Sequence, residues 1–158
     1  MPSFSDIDGV PATANAFLLR QVLRQEWGFR GFVVSDWGSI QQLAVHGLTA
    51  DDADSAREAA IAGVDMDMAS GVYMAQLARL VEQGRVGIDV IDSAVAGILR
   101  LKFRLGLFDR PHVEPGRVPA AALEERLRVA KQAALQSAVL LKNDAGILPL
   151  SRSNTTSI

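Results

Sequence analysis

Three short runs of mostly apolar residues recur in the first half of the chain, at Met1–Phe4, Gly31–Ser35 and Gly63–Met68. Each run has the length and side-chain character of a β-strand, although Pro2 restricts the first run to a strand start or an edge. Their centres lie about 30 and then about 33 residues apart, close to the roughly 31 residues of one βα unit in a (β/α)8 barrel. The spacing therefore predicts three consecutive βα units.

Apolar residues recurring every three or four positions predict the helices between and after these strands. Glycines stop most of these patterns, and carboxylates crowd the start of the second, where they suit exposed N–H groups. The stretch 38–49 is predicted to be irregular. The predicted helices cover Ala14–Trp27, Ala50–Ala62, Val72–Gln83, Ile88–Leu105 and Ala120–Leu141.

A segment rich in proline and charge, DRPHVEPGRVP at Asp109–Pro119, predicts a connector between two domains. Residues 1–108 are then the last three βα units of a TIM barrel, an α/β fold, and residues 120–158 begin a second domain. Three parallel strands do not close a barrel, and an open sheet of this kind leaves both edges exposed. We therefore expect the chain to be part of a larger protein.

Composition excludes several classes of function. The chain has 158 residues, 49% apolar and 22% charged, and its 16 Lys and Arg against 18 Asp and Glu give a net charge of -2. Without a basic run we expect neither nucleic-acid binding nor a basic membrane face, and the apolar runs are too short to span a bilayer. The absence of cysteine excludes disulfides, thiolate metal sites and a cysteine nucleophile. No G-x-G-x-x-G or phosphate-binding loop occurs, so no cofactor is expected.

The strongest candidate for chemistry is Asp36, which directly follows the apolar run ending at Ser35. Active sites of βα barrels lie at the carboxyl ends of the strands, although an Asp at such a turn also commonly caps the next element. Trp37 follows it, and an indole ring stacks well on the apolar face of a sugar. Together the two residues indicate a carbohydrate site.

The segment Gly28–Gly38, GFRGFVVSDWG, resembles the nucleophile signature of family 3 glycoside hydrolases, in their two-domain β-glucosidase-like branch. Met1–Asn15 is similar to that family's sixth barrel strand and loop, Ala62–Met68 to its eighth, and Leu105–Arg110 to the end of its barrel domain. Ala133–Leu150, AALQSAVLLKNDAGILPL, resembles the start of its second, α/β sandwich domain. The resemblance covers nearly the whole chain.

This resemblance implies a retaining β-glucosidase-like enzyme in which Asp36 is the nucleophile, Trp37 lines the sugar subsites, and Phe4, Met66 and Met68 surround the pocket. It also implies a small carbohydrate substrate, a β-glucoside or short oligosaccharide, and relatives that are often periplasmic or secreted. Phe4 stands where relatives often have a tyrosine, which removes one possible hydroxyl contact.

A retaining glycosidase needs a second carboxylate, the general acid/base, about 5 to 5.5 Å from the nucleophile. The glutamates of this chain are better explained as surface charges, because Glu26, Glu58 and Glu82 lie in helical patterns and Glu114 in the connector. In the family the acid/base is a glutamate of the second domain, which here is expected beyond Ile158. The isolated chain is therefore expected to be inactive.

Three other interpretations stay open at this stage. The chain as it stands is expected to be at most a non-catalytic segment that contacts sugar. A second interpretation is the family's single-domain branch, which cleaves N-acetylglucosamine through a loop histidine, and the helix and LLKN segment after the connector argue against it. A different barrel enzyme such as an aldolase is disfavoured, because the strands lack an end lysine and phosphate-binding glycines. Asp65 and Asp67 share a strand face but lack further ligands for a metal, and His46 and His112 are isolated.

Overall fold

A computed structural model of the chain describes residues 1–112 and 120–151. The chain divides into two compact units, Met1–His112 and Val113–Ile158, each treated by itself below. Most of the predicted connector, with Glu114, and the tail from residue 152 onward lie outside the described residues.

The first unit opens with an antiparallel pair of two-residue strands, β1 (Asp6–Ile7) and β2 (Val10–Pro11). Asp8 and Gly9 connect them with positive φ angles of 53° and 78°, as in the two-residue hairpin turn typical of an Asp-Gly pair. The predicted strand at Met1–Phe4 is wrong. Pairing starts at Asp6 instead, because the Asp-Gly turn folds the chain back at that point.

Five helical segments follow in the first unit after a 3-10 turn at Ala12–Ala14. The first is a π-helix, and Gly63 ends the third in the left-handed conformation. Asp51 caps that third helix, its Oδ1 accepting the Asp54 N–H at 2.8 Å. The stretch predicted to be irregular contains one short helix, α1 (Gln42–Val45). The segments are the π-helix (Phe17–Glu26), α1 (Gln42–Val45), α2 (Asp52–Ala62), α3 (Val72–Glu82) and α4 (Ile88–Arg104).

The second and third predicted strands meet only at one isolated parallel bridge, between Val34 and Met66. Near this bridge, side chains form hydrogen bonds that backbone groups form in a longer ladder. Asp65 Oδ2 accepts the Val33 N–H at 2.6 Å, and the Tyr73 hydroxyl donates to the Val64 carbonyl at 2.8 Å. The predicted parallel direction is confirmed, but full strands at Gly31–Ser35 and Gly63–Met68 are wrong, because these side chains occupy backbone groups that a longer ladder needs.

The core of the first unit lies where α2 packs against α3 and the loop after Asp36. Alanines line the buried face of α2, so its neighbours approach closely. Ile40, Leu43 and Leu80 are fully buried there. Ile40, two residues after Gly38, therefore anchors the segment that follows Asp36 in the core.

In the second unit, α5 (Ala120–Ser137) is shorter than the predicted helix, which was expected to reach Leu141. The Ser137 hydroxyl donates to the Ala134 carbonyl at 3.0 Å at the end of the helix, and Leu141 lies beyond it with 91% of its surface exposed. The predicted turn at residues 143–146 is confirmed by the Gly146 N–H, which donates to the Asn143 carbonyl at 2.9 Å.

Within residues 1–112 and 120–151 the structure is mainly helical, with few strands. In this same part of the chain no helix has both the length and the apolar character that crossing a bilayer requires. The last three units of a TIM barrel and the sandwich domain stay predictions.

Candidate active site

Two chain segments run side by side past the parallel bridge and bring the predicted site residues together. The Ser35 N–H donates to the Met66 carbonyl at 2.9 Å, and the Gly38 N–H donates to the Met68 carbonyl at 2.9 Å. Asp36 and Trp37 lie between these two bonds. They are therefore held beside the segment that carries Met66 and Met68, at the carboxyl end of the bridge.

The Asp36 side chain is half-buried, and one of its oxygens is fixed by the backbone. Oδ1 accepts the Trp37 N–H at 2.7 Å. Within the described part of the chain no hydrogen bond is made by Oδ2. The Asp36 carbonyl is held as well, since it accepts the Ser39 N–H at 3.1 Å. The carboxylate thus has one anchored oxygen and one that is available.

Apolar residues of the two segments beside Asp36 are exposed to solvent to different degrees. Trp37 is 70% exposed and Met66 44%, while Met68 is partly buried. Phe4 is 38% exposed, and no hydrogen bond among the described residues ties it to the other four. A hydrogen bond from the Thr13 hydroxyl to Ser39 Oγ, at 3.2 Å, joins its part of the chain to the loop after Asp36. The structure therefore brings together Asp36, Trp37, Met66 and Met68, and leaves Phe4 unlinked.

Ser35 also belongs to the site around Asp36, although it was not among the residues predicted from the sequence. It is fully buried, its hydroxyl donates to the Asp36 carbonyl at 2.9 Å, and its Oγ accepts the Met68 N–H at 2.8 Å. One signal was available: Ser35 is the first polar residue after the apolar run 31–34, immediately before the candidate carboxylate.

Asp65 and Asp67, weighed above as a cation site, have separate protein partners. Asp65 pairs with Arg24 at 2.5 Å, and its side chain is 8% exposed. Burial raises its pKa, an effect that the Val33 N–H and the Arg24 guanidinium oppose. Asp67 accepts the Ser70 hydroxyl at 2.6 Å and the Tyr73 N–H at 3.3 Å at the start of α3. Both carboxylates therefore organise the backbone.

Tyr73 is half-buried against this segment. Desolvation of its phenol, followed by the neighbouring Asp67 and Asp65 charges, raises the pKa of this group far above the usual range. The hydroxyl donates to the Val64 carbonyl. A phenol held neutral in this way is a structural donor rather than a proton-transfer group.

The first unit has three glutamates, and two of them have partners of their own. Glu58 pairs with Arg57 at 2.5 Å, Glu26 accepts the Gln21 amide at 3.4 Å, and Glu82 is exposed on α3. Within the described residues, no hydrogen bond or ion pair joins any of these three to Asp36 or Trp37. His46 and His112 are exposed.

The described residues contain no group of three or more His, Asp or Glu side chains that could hold a metal ion. They do form a cavity of about 130 Å³, lined among others by Arg20, Asp65, Tyr73 and Ile91. None of the five predicted site residues lines it, and it is smaller than the roughly 300 Å³ at which ligand pockets begin. Asp36 is instead half-buried at the surface of the unit, next to Trp37, which is 70% exposed.

Residues 1–101 match the family described as glycosyl hydrolase family 3 N terminal domain, and the chain belongs to this family. It is similar to the periplasmic β-glucosidase of Salmonella typhimurium, with 40% identity over 164 residues covering 100% of this chain and 21% of that protein. It is also similar to a putative β-xylosidase of Formosa agariphila, with 38% identity over 160 residues, 100% of this chain and 21% of that protein.

Among solved structures, the chain resembles a β-glucosidase from Listeria innocua in complex with glucose, with a TM-score of 0.75 and 35% identity. The likeness covers 94% of this chain and 21% of that one. The chain thus spans about one fifth of the length of the relatives it matches. The predicted resemblance to family 3 is confirmed.

Proposed function

We propose that this chain supplies the nucleophile of a retaining β-glycosidase, and that Asp36 is that nucleophile. The observation that carries the proposal is the Asp36 carboxylate at the end of the parallel bridge, with Oδ1 held by the Trp37 N–H at 2.7 Å. An anchored carboxylate with a second oxygen available is suited to attack a carbon placed above it.

The reaction proceeds in two displacements. An Asp36 oxygen forms a bond to the anomeric carbon while the bond to the leaving oxygen breaks, and the general acid protonates that oxygen. Water then attacks the same carbon as the acid/base takes its proton, and the Asp36 ester bond breaks. The sugar leaves with its original anomeric configuration.

The general acid/base is a glutamate outside these 158 residues. Supporting this, the described glutamates Glu26 and Glu58 have partners elsewhere, and the relatives named above are about five times as long as this chain. In the same proposal residues 1–108 are the last three βα units of a TIM barrel, residues 109–119 the connector, and residues 120–158 the start of the second domain.

The substrate is a small β-linked carbohydrate, bound with its apolar face on Trp37 and with Met66, Met68 and Phe4 around it. A β-glucoside is favoured by the β-glucosidase similar at 40% identity and by the neighbour solved with glucose. A β-xyloside is the second candidate, because the relative at 38% identity is named a putative β-xylosidase. Comparing kcat/KM for the two aryl glycosides separates them.

The stereochemistry of the first product tests the proposal in the full-length protein that contains this chain. Proton NMR during hydrolysis of an aryl β-glycoside is expected to show the β-anomer first. Asp36→Ala is expected to lower kcat by about 10⁴-fold or more, since no nucleophile remains, and azide is expected to restore turnover by attacking the vacated face.

The matched control is Asp52→Ala, which removes a half-buried carboxylate from the start of α2 and is expected to leave kcat unchanged. Initial formation of the α-anomer, or an Asp36→Ala variant with the same kcat as the unmodified protein, would contradict the proposal.

A further inference from the structure

We propose that Ser35 is a positioning residue that holds the Asp36 main chain against the Met68 segment and so sets the position of the attacking carboxylate. The inference rests on the proposed function, because it assigns Ser35 a part in the same reaction. Ser35 contacts no substrate in this proposal and acts through its two neighbours.

The Ser35 hydroxyl forms two hydrogen bonds at once. It is an acceptor for the Met68 N–H at 2.8 Å and a donor to the Asp36 carbonyl at 2.9 Å. A hydroxyl is the smallest side-chain group that does both at once. It therefore joins the residue that bears the carboxylate to the neighbouring segment through a single atom.

Ser35 Oγ also occupies a position in the parallel hydrogen-bond ladder between the two segments. In a parallel pair, a bond from the Ser35 N–H to the Met66 carbonyl is normally followed by one from the Met68 N–H to the Ser35 carbonyl. Here the Met68 N–H goes to Ser35 Oγ instead. The side chain thus replaces its own carbonyl, and the two segments stay connected at the point where the backbone of Asp36 leaves the ladder.

The Ser35 side chain is also shielded from water. Ser35 has no exposed surface, so water does not replace a lost hydroxyl without rearrangement. Without the hydroxyl the Met68 N–H loses its partner, while the Asp36 carbonyl keeps only the Ser39 N–H at 3.1 Å. Small displacements of a nucleophile are costly, since about 1 Å lowers a rate by roughly 100-fold.

The test uses the full-length protein and two variant pairs. Ser35→Ala is expected to lower kcat by about 10- to 100-fold with KM changed by less than about 3-fold, because substrate contacts remain and attack geometry is lost. Ser35→Thr and Ser35→Val have nearly the same shape, and only the first has a hydroxyl. We expect Ser35→Thr to have at least about 10-fold higher kcat than Ser35→Val.

The control for losing a buried hydroxyl is Ser55→Ala. Ser55 is also fully buried, and its Oγ bonds Thr49 Oγ1 at 2.7 Å on α2, away from the site. We expect Ser55→Ala to leave kcat and KM unchanged even where it lowers the melting temperature. A fall in kcat for Ser55→Ala equal to that for Ser35→Ala would overturn the inference, because it would reflect general destabilisation.

The rate of covalent labelling separates this inference from the proposed function. A 2-deoxy-2-fluoro-glucoside is expected to label Asp36 in the unmodified protein, and to do so about 10-fold or more slowly in Ser35→Ala. Labelling of Asp36 at equal rates in both proteins overturns the role of Ser35 alone. Labelling of a different residue in the unmodified protein overturns the proposed function as well.

Discussion

Trp37 places a large apolar ring at the surface beside the Asp36 carboxylate, with 70% of its area exposed. An exposed indole at this position costs little stability to remove, since it is not packed in the core. Its proposed task is to stack on the sugar, and a stacked ring contributes to binding in both the ground state and the transition state.

We expect Trp37→Ala to raise KM about 10-fold with a smaller change in kcat, because uniform binding is lost, and Trp37→Phe to retain most of the affinity. Steady-state kinetics on an aryl β-glucoside measures both. Trp27→Ala is the matched control, since Trp27 is 73% exposed at the end of the π-helix and has no place in the site. Equal KM values for Trp37→Ala and the unmodified protein would remove Trp37 from the subsite.

At the scale of elements, Arg24 and Asp65 connect the π-helix to the two segments of the bridge. The Arg24 guanidinium donates to the Gly31 carbonyl at 3.1 Å and to Asp65, which in turn accepts the Val33 N–H. The ion pair therefore fixes Gly31 and Val33, the first part of the segment that leads to Asp36.

Removing one partner of this pair leaves the other without its counter-charge. We expect Arg24→Met to lower the free energy of unfolding by about 2 kcal/mol, less than the roughly 3 to 5 kcal/mol of a fully buried pair, because the Arg24 side chain is 28% exposed. The double variant Arg24→Met with Asp65→Leu should recover part of that loss. Urea denaturation followed by far-UV circular dichroism tests this, and a double variant less stable than Arg24→Met would contradict it.

Burial raises the pKa of Asp65, which gives its contribution to stability a defined pH dependence. A raised pKa in the folded state means that the folded protein binds this proton more tightly, so the contribution is complete below the ordinary Asp pKa of about 3.9 and is lost as pH rises through the raised value. Relative to Asp65→Asn, the unmodified protein should therefore lose stability as pH increases above about 4. Melting temperatures of both proteins across this range measure it, and a constant difference would contradict the sign.

The helices were predictable from sequence because their apolar spacing and end residues agree, as at Asp51 and Gly63 of α2. The site was predictable in part, since Asp36 and Trp37 follow a recognisable apolar run. The shortness of the parallel bridge was not predictable. The Asp65 and Tyr73 side chains bond backbone groups of Val33 and Val64, which strand propensity alone would pair with backbone. Ser35 was missed for the same reason, as its role depends on Met68, 33 residues away.

At the scale of the whole molecule, α4 presents apolar side chains to solvent. Ile88, Val95, Leu99 and Phe103 share one helical face at spacings of seven, four and four, and they are 59%, 47%, 40% and 67% exposed. The apolar spacing of this helix in the sequence predicts that Val95, Leu99 and Phe103 point inward, and this prediction is wrong for the structure. An exposed apolar face of this kind is uncommon on a soluble monomer.

The purified 158-residue chain is therefore expected to bind the dye ANS through its exposed apolar surface and to hydrolyse aryl β-glucosides negligibly, since the acid/base is proposed to lie outside it. Dye fluorescence and a colorimetric assay, with the full-length protein as the positive control, measure the two properties. Hydrolysis by the short chain at a rate near that of the full-length protein would mean that the second carboxylate is within these residues.

Trapping the covalent intermediate tests most directly whether Asp36 is the nucleophile. The full-length protein is treated with a 2-deoxy-2-fluoro-glucoside, whose fluorine slows the second displacement, and is then digested and analysed by mass spectrometry. We expect one fluoroglucosyl group per active protein, on the peptide that contains Asp36, and fragmentation should place it on Asp36 itself. A label on any other residue, or inactivation without a covalent label, would contradict it.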